Sequence, residues 1–189
     1  MHESALDRIV ARARTGDPAA IAALYDQFAA RVYRFVLARV HSSSDAEDLL
    51  QRIFLKVIEG LPRYEPRGLP FAAWLFRIAR NTVIDHERTR HDHASLDDAA
   101  HRTDHRAGPE ELAEAAFERI AIRSALEQLT AEQRDVIAYR FFADLSPREI
   151  GLLMDRREGA IRALQFRAIQ TLRESLGSES ELIASGISA

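Results

Sequence analysis

The sequence predicts an all-α protein of two small helical domains joined by a flexible linker, the C-terminal one containing a helix-turn-helix. Apolar residues recur at spacings of three and four along most of the 189-residue chain, which is the period of amphipathic helices. Glycine and proline are scarce, with 8 and 6 residues respectively, so few positions interrupt this pattern. A polar stretch rich in Asp, His and Arg separates two regions of helical pattern, which indicates two domains rather than one.

The first helices of the chain are marked by capping signals. Asp17-Pro18 is a capping residue followed by proline, and the apolar stripe after it reaches about Val40. Ser44 and Glu47 have the spacing of a capping box, in which each residue bonds the backbone N–H of the other. We expect this box to open the next helix and Gly60 to close it.

A loop and a long helix complete the first domain. The segment Leu61–Pro70 contains three prolines and a glycine, which predicts a loop. The next helix is predicted from about Phe71 to Arg90. Trp74 is favoured as a core residue of that helix, whereas Phe76 is equally compatible with the core and with an exposed surface.

The second domain ends in a helix-turn-helix. Thr130 and Gln133 form a further predicted capping box, and Ser146-Pro147-Arg148-Glu149 is another with proline at the first helical position. Asp155-Arg156-Arg157 has the length of a turn, and the helix after it carries arginines on its outer face. This arrangement is typical of a helix that enters the major groove of DNA. The alternative is an ordinary helical hairpin with solvated arginines. The predicted boundaries are residues 1–90 for the first domain, 91–109 for the linker, 110–176 for the second domain and 177–189 for a disordered tail.

Composition narrows the class of protein. The formal net charge is −3. Free-standing DNA-binding domains are usually basic. We therefore expect this chain to bind DNA properly only with a partner. The segment from Arg156 to Arg173, however, contains five arginines and only one acidic residue, Glu158. There are no cysteines and no apolar run long enough to cross a bilayer. We therefore expect a cytoplasmic protein without disulfides or membrane insertion.

These motifs together resemble bacterial RNA polymerase sigma factors of the extracytoplasmic-function (ECF) subfamily. DAEDLLQRIF at Asp45–Phe54, the loop RYEPRG and the helix at Phe71–Arg90 resemble sigma region 2. The stretch Ala125–Met154 and the helix after it resemble region 4. The resemblance implies a factor that binds core RNA polymerase and directs promoter recognition and transcription initiation. It implies no enzyme activity, no cofactor and no metal.

The resemblance also implies roles for individual residues. The acidic helix of region 2 is expected to dock on the clamp helices of the largest polymerase subunit through Asp48, Gln51, Phe54 and Leu55. The loop and following helix are expected to melt and read the minus-ten element through Arg63, Tyr64, Arg67, Phe71, Arg77, Arg80, Asn81 and Arg88. The minus-thirty-five element is expected to contact Arg157, Arg162, Phe166 and Arg167.

This chain departs from the family pattern at three positions in the docking and recognition helices. Arg52 stands in the docking helix where the family often has Glu, and Leu164 stands where Arg is common in the recognition helix. Arg157 stands where the family often has the capping Ser of the recognition helix, and Asp155 is a candidate to replace that cap.

The expected partners are core RNA polymerase, through its clamp helices and flap, promoter DNA and an anti-sigma protein.

One alternative function is a helix-turn-helix transcriptional regulator whose first domain senses a ligand. Another is a sigma-like adaptor that docks polymerase or an anti-sigma protein without initiating transcription, which only Arg52 favours. No catalytic set is evident. Five histidines cluster around the linker, but without a regular scaffold they are favoured as solvated residues rather than metal ligands: His86, His91, His93, His101 and His105.

Overall fold

The computed structural model describes residues 5–40, 42–65, 69–94, 122 and 124–186, with the backbone alone in 91–94 and 178–186. The chain divides into two compact units, residues 1–104 and 105–189. All regular structure in the described ranges is helical, which confirms the predicted fold class. Most of the predicted linker, together with His101 and His105, lies outside the described residues, and so does the predicted DNA-contacting residue Arg67.

Unit 1 consists of four α-helices and one short 3-10 helix. Helix α2 packs against α1, α3 and α4, and α3 also packs against α4. The elements are α1 Ala5–Arg14, α2 Pro18–Leu37, α3 Ser43–Gly60, the 3-10 helix Leu61–Arg63, and α4 Phe71–Ala94.

Aromatic and aliphatic side chains from three helices fill the core of unit 1. Phe35 of α2 and Phe76 of α4 meet edge to face, with ring centroids 5.4 Å apart and planes at 86°. Both are fully buried, together with Leu49 and Ile53 of α3. Phe76 is therefore a core residue, and each such side chain contributes about 1.5–3 kcal/mol through burial.

The start of α2 confirms the predicted cap. The Asp17 carboxylate accepts the N–H groups of Ala19 at 3.0 Å and Ala20 at 3.4 Å. Arg12, at the end of α1, donates from Nε to Asp17 Oδ2 at 2.7 Å. This hydrogen bond holds the pKa of Asp17 below its usual value. One carboxylate thus both caps α2 and joins α1 to it.

Several predicted boundaries in unit 1 were wrong. Helix α3 is capped by Ser42, whose extended backbone lets Oγ accept the Asp45 N–H at 3.2 Å, while Ser44 is already helical. Helix α2 ends at Leu37 rather than near Val40. Gly60 does not end α3 with a left-handed residue, because the chain continues directly into the 3-10 helix within the predicted loop.

Gly60 instead makes space for a neighbouring ring. A Cβ atom at this position would lie 2.9 Å from Cζ2 of the half-buried Trp74. The glycine therefore allows the indole of α4 to contact the end of α3.

Unit 2 consists of a helical segment at 124–127 followed by three helices, α5 Ala131–Phe141, α6 Pro147–Met154 and α7 Glu158–Gly186. Its core combines Leu129, Ile137 and Ala168, with Ile169 and Leu172 packed against them. Helix α7 continues to Gly186, beyond the point where a disordered tail was predicted to begin. No proline interrupts this stretch, so its backbone can continue the helix.

Candidate functional site

The helix-turn-helix begins with the predicted capping box. The Ser146 N–H donates to Glu149 Oε2 at 2.7 Å, and the Glu149 N–H donates to Ser146 Oγ at 3.3 Å. Pro147 occupies the first turn, where it has no N–H to leave unpaired. The capping box and Pro147 thus define the residue at which α6 begins.

The turn between α6 and α7 depends on close backbone approach. Asp155 takes the left-handed conformation, with φ 52° and ψ 51°, and the Arg156 N–H donates to the Gly151 carbonyl at 2.9 Å. A Cβ atom on Gly151 would lie 2.6 Å from the Arg156 carbonyl oxygen. Sequence reasoning missed Gly151, although an isolated glycine inside a short helical pattern is a signal of such close approach.

Arg157 occupies the cap position of α7. Its carbonyl accepts the N–H groups of Ala160 at 2.9 Å and Ile161 at 3.2 Å. Asp155 ends α6, and its side chain makes no hydrogen bond to the described residues of α7, so it does not replace the missing cap.

The outer face of α7 presents the residues predicted to read DNA. Phe166 is 65% exposed, and Arg157, Arg162 and Arg167 are exposed as well. At about 100° per residue, Phe166 lies about 40° from Arg162 around the helix, while Arg167 lies about 140° from it. The structure therefore brings Arg162 and Phe166 onto one face and places Arg167 on its flank.

Two arginines in this region are held by acidic side chains. Arg162 donates to Glu158 Oε1 from Nε at 3.1 Å and from Nη2 at 2.7 Å. Arg156 donates from Nη2 to Glu132 Oε1 at 2.6 Å, a hydrogen bond that raises its pKa. The side chains of Arg157 and Arg167 make no such contact with any other described residue.

Helix α3 presents a polar stripe with one apolar member. Asp48, Gln51 and Leu55 lie within about 60° of one another around the helix, and all three are exposed. Arg52, which is also exposed, lies at the edge of this stripe, about 40° from Asp48 on the side away from Gln51. Exposed Ile58, which sequence reasoning did not select, lies one turn beyond Leu55.

Phe54 differs from the other predicted docking residues. It is 7% exposed, and its ring lies 4.7 Å from that of Tyr25 on α2. Leu55 next to it is 59% exposed, because consecutive helical residues point about 100° apart. Phe54 therefore packs α3 against α2 and is not part of the exposed stripe.

A groove of about 400 Å³ runs between α3 and α4. Lys56 bridges it, donating from Nζ to Thr82 Oγ1 at 3.1 Å and lying 3.9 Å from Asp85 Oδ2. His86 also lines the groove, and its Nε2 atom is buried without a hydrogen-bond partner among the described residues. The Lys56 bridge ties the predicted docking helix to the predicted DNA-contacting helix.

The loop before α4 is anchored by aromatic rings. Tyr64 and Phe71 are buried, with ring centroids 5.6 Å apart at 87°, and Trp74 lies 4.8 Å from Tyr64. Burial raises the pKa of the Tyr64 hydroxyl. The faces of Tyr64 and Phe71 are thus covered by protein, and in this conformation they hold the loop rather than offering a stacking surface.

The remaining predicted minus-ten residues lie on the surface. Arg77, Asn81 and Arg88 are exposed on α4 and fall within about 40° of one another around the helix. Arg63, at the end of the 3-10 helix, is exposed. Arg80 is half-buried on α4 beside these three residues. Within the described ranges, no group of three His, Cys, Asp or Glu residues could hold a metal ion.

Comparison with known proteins finds a matching family for each half of the chain. The family model of sigma-70 region 2 matches residues 24–92, and that of sigma-70 region 4 matches residues 125–174. The chain is 34% identical to the ECF RNA polymerase sigma factor SigD of Mycobacterium tuberculosis, over 98% of this chain and 88% of that protein. The chain belongs to the ECF sigma factors. It is also 32% identical to the sigma factor BldN of Streptomyces coelicolor, over 91% of this chain and 66% of BldN.

Solved structures share the fold of this sigma factor. CnrH, in complex with the cytosolic domain of CnrY, has a TM-score of 0.69 and 22% identity, covering 90% of this chain and 96% of CnrH. The sigma factor RpoE of Bartonella quintana, in complex with the anti-sigma factor NepR, has a TM-score of 0.60 and 21% identity, covering 81% of this chain and 94% of RpoE.

Family membership decides between a sigma factor and a ligand-sensing helix-turn-helix regulator. A sigma factor binds core RNA polymerase and directs it to promoters, and this is the activity of the chain. The regulator alternative assigned the first half to ligand sensing, but that half matches region 2. None of the described helices is long and apolar enough to cross a membrane.

Proposed function

We propose that the two units divide the work of promoter recognition between one docking surface and two DNA surfaces. The α3 stripe of Asp48, Gln51 and Leu55 binds the clamp helices of polymerase. The outer face of α7, from Arg157 to Arg167, binds the minus-thirty-five element. The observation that carries this proposal is the coexistence of an exposed docking stripe in unit 1 and a capped helix-turn-helix with exposed arginines in unit 2.

The α4 surface is proposed to bind the minus-ten element. Separating stacked base pairs costs about 1–2 kcal/mol per step, so a factor without ATP chemistry must recover that free energy by binding the exposed strand. Arg77 and Arg88 supply cations along the backbone path, and Asn81 between them offers an amide that can hydrogen-bond a base. Tyr64 and Phe71 contribute by fixing the loop that precedes this surface.

Exposed apolar side chains mark the remaining protein contacts. Phe141 on α5 and Leu152 on α6 are exposed in unit 2, as Leu55 and Ile58 are in unit 1. We assign the unit 2 residues to the polymerase flap, and we assign to an anti-sigma protein the role of covering these surfaces when the factor is idle. The chain itself performs no chemistry, and its place of action is the cytoplasm, where polymerase and promoter DNA meet.

Transcript mapping tests the proposed function. The full chain is mixed with its cognate core polymerase and fragmented genomic DNA, and the 5′ ends of the RNA products are sequenced. We expect starts at a small set of sites that share elements near minus ten and minus thirty-five, and no such set with core polymerase alone. An unchanged pattern of starts after addition of the chain would overturn the proposal.

A further inference from the structure

The recognition helix carries its own carboxylate next to its central arginine. Glu158, in the first turn of α7, accepts two hydrogen bonds from Arg162 on the same oxygen, at 2.7 Å and 3.1 Å. Both side chains are exposed, and they are four residues apart, so they lie on the same side of the helix. One forked edge of the guanidinium, formed by Nε and Nη2, is thus already occupied in the free chain.

Arg162 cannot satisfy Glu158 and a base with the same two N–H groups. The bonded atoms, Nε and Nη2, form one fork of the guanidinium. Guanine offers two acceptors, O6 and N7, that match such a fork, so it can replace the carboxylate bond for bond. A phosphate contact also attracts the arginine, but it leaves Glu158 close to the negative charges of the DNA backbone.

We infer that Glu158 is a specificity-determining residue, which competes with DNA for Arg162 and makes sequence-independent binding less favourable than binding at a matching base. This inference rests on the proposed role of α7 at the minus-thirty-five element. The exchange is more favourable where the two acceptors of a base edge take the place of the Glu158 oxygen than where Arg162 meets phosphate, because the phosphate contact leaves Glu158 close to the backbone charges. Glu158 therefore lowers affinity for all DNA but lowers it most for the wrong sequence.

The test compares Glu158→Gln with the wild-type chain, each as full-length protein in holoenzyme with core polymerase. Affinity is measured for a promoter found by transcript mapping and for the same duplex with a scrambled minus-thirty-five element. We expect the variant to bind the scrambled duplex about three- to tenfold more tightly, with a smaller gain on the intact promoter, because one further arginine is free to bind phosphate. The salt dependence on the scrambled duplex should steepen by about one unit.

Two further variants separate competition for Arg162 from a general effect of charge. Glu174→Gln removes the same charge from an exposed residue about 24 Å further along α7, and it should leave discrimination unchanged. In an Arg162→Ala background, Glu158→Gln should lose its effect, because the competing group is gone. Circular dichroism verifies that each variant is folded.

The outcomes are distinct. Equal gains from Glu158→Gln and Glu174→Gln, a full effect without Arg162, or unchanged discrimination in Glu158→Gln would each overturn the inference. Failure of the proposed function would appear elsewhere, as a wild-type holoenzyme that binds the intact and the scrambled duplex equally well.

Discussion

Exposed and buried residues of α3 are expected to serve different purposes, the exposed ones in binding and the buried ones in folding. Asp48 and Gln51 point outward on the stripe, whereas Phe54 packs on Tyr25. Removing an exposed polar side chain usually changes stability by less than about 0.5 kcal/mol, whereas replacing a buried Phe with Ala costs about 3–5 kcal/mol. The same helix thus contains residues whose loss should weaken polymerase binding and residues whose loss should unfold unit 1.

We predict that Asp48→Arg and Gln51→Ala weaken binding to core polymerase while the urea midpoint stays at its wild-type value. The reason is that both side chains reach solvent on the docking stripe without supporting the core. Binding is measured by titrating labelled chain with core polymerase, and Asp26→Arg, on the exposed side of α2, controls for the change in net charge. Wild-type affinity in both stripe variants would show that the clamp helices bind elsewhere.

A second residue-scale prediction concerns Arg162 and Arg167. Since they lie about 140° apart around α7, they cannot both address one base edge. We expect Arg162→Ala to cost about 1–3 kcal/mol and to relax preference at one base position, because its face is shared with Phe166. Arg167→Ala should weaken binding to all sequences and flatten the salt dependence by about one unit.

The measurement is reporter transcription from a library of minus-thirty-five variants for each arginine mutant. Arg148→Ala, an exposed arginine on α6, serves as a control for loss of positive charge. If both α7 mutants keep the activity and sequence preference of the wild type, α7 does not lie in the groove.

Among the elements, helix starts were predicted best because their signals are local. The caps at Asp17, Thr130 and Ser146 each involve atoms within three residues of the helix start, so a short stretch of sequence contains the whole interaction. The error at α3 has the same origin. Three consecutive serines offer similar capping chemistry, and the backbone conformation that selected Ser42 is not visible in the sequence.

Tertiary contacts set the limit of the sequence-based predictions. Helical periodicity identifies an apolar face, but it does not say which helix covers it. Phe76 was undecided for this reason until the edge-to-face contact with Phe35 placed it in the core. The same limit applies to Tyr64 and Phe71, which were chosen as DNA-contacting aromatics and are buried against one another. Helix α1 was not assigned from the sequence, although it packs on α2.

The turn of the helix-turn-helix gives an element-scale prediction. Gly151→Ala should lower the free energy of unfolding of unit 2 by about 2 kcal/mol or more, because the new methyl group would meet the Arg156 carbonyl at 2.6 Å and backbone cannot move aside easily. Gly159→Ala is the matched control, since its Cβ would have no neighbour within 4 Å. That substitution should raise helix stability by up to about 1 kcal/mol.

Chemical denaturation followed by circular dichroism measures both glycine variants. Promoter binding by holoenzyme should fall in Gly151→Ala, because the angle between α6 and α7 depends on this approach. A Gly151→Ala chain as stable as Gly159→Ala would mean that the turn can relax, and that close backbone packing does not set the geometry of the motif.

For the whole molecule, the distribution of charge explains why a DNA-binding protein can be acidic. The chain has 29 acidic and 26 basic residues, yet Arg157, Arg162 and Arg167 are exposed together on one helix. Some of the nearby positive charge is paired with Glu132 and Glu158. A basic surface that is partly neutralised, on an acidic molecule, gains little from long-range attraction to DNA.

We therefore predict that the free chain binds promoter DNA only weakly at about 0.15 M salt, whereas holoenzyme binds the same promoter tightly and specifically. The physical reason is twofold. Net charge opposes the approach of the free chain to DNA, and each unit alone contacts one short element. Binding to polymerase holds both units at once, so that the second contact forms at high effective concentration. Fluorescence anisotropy with a labelled promoter duplex measures both affinities over a range of salt concentrations. Comparable affinity and sequence preference for the free chain and the holoenzyme would contradict this account, because the DNA-binding units would then need no partner to recognise a promoter.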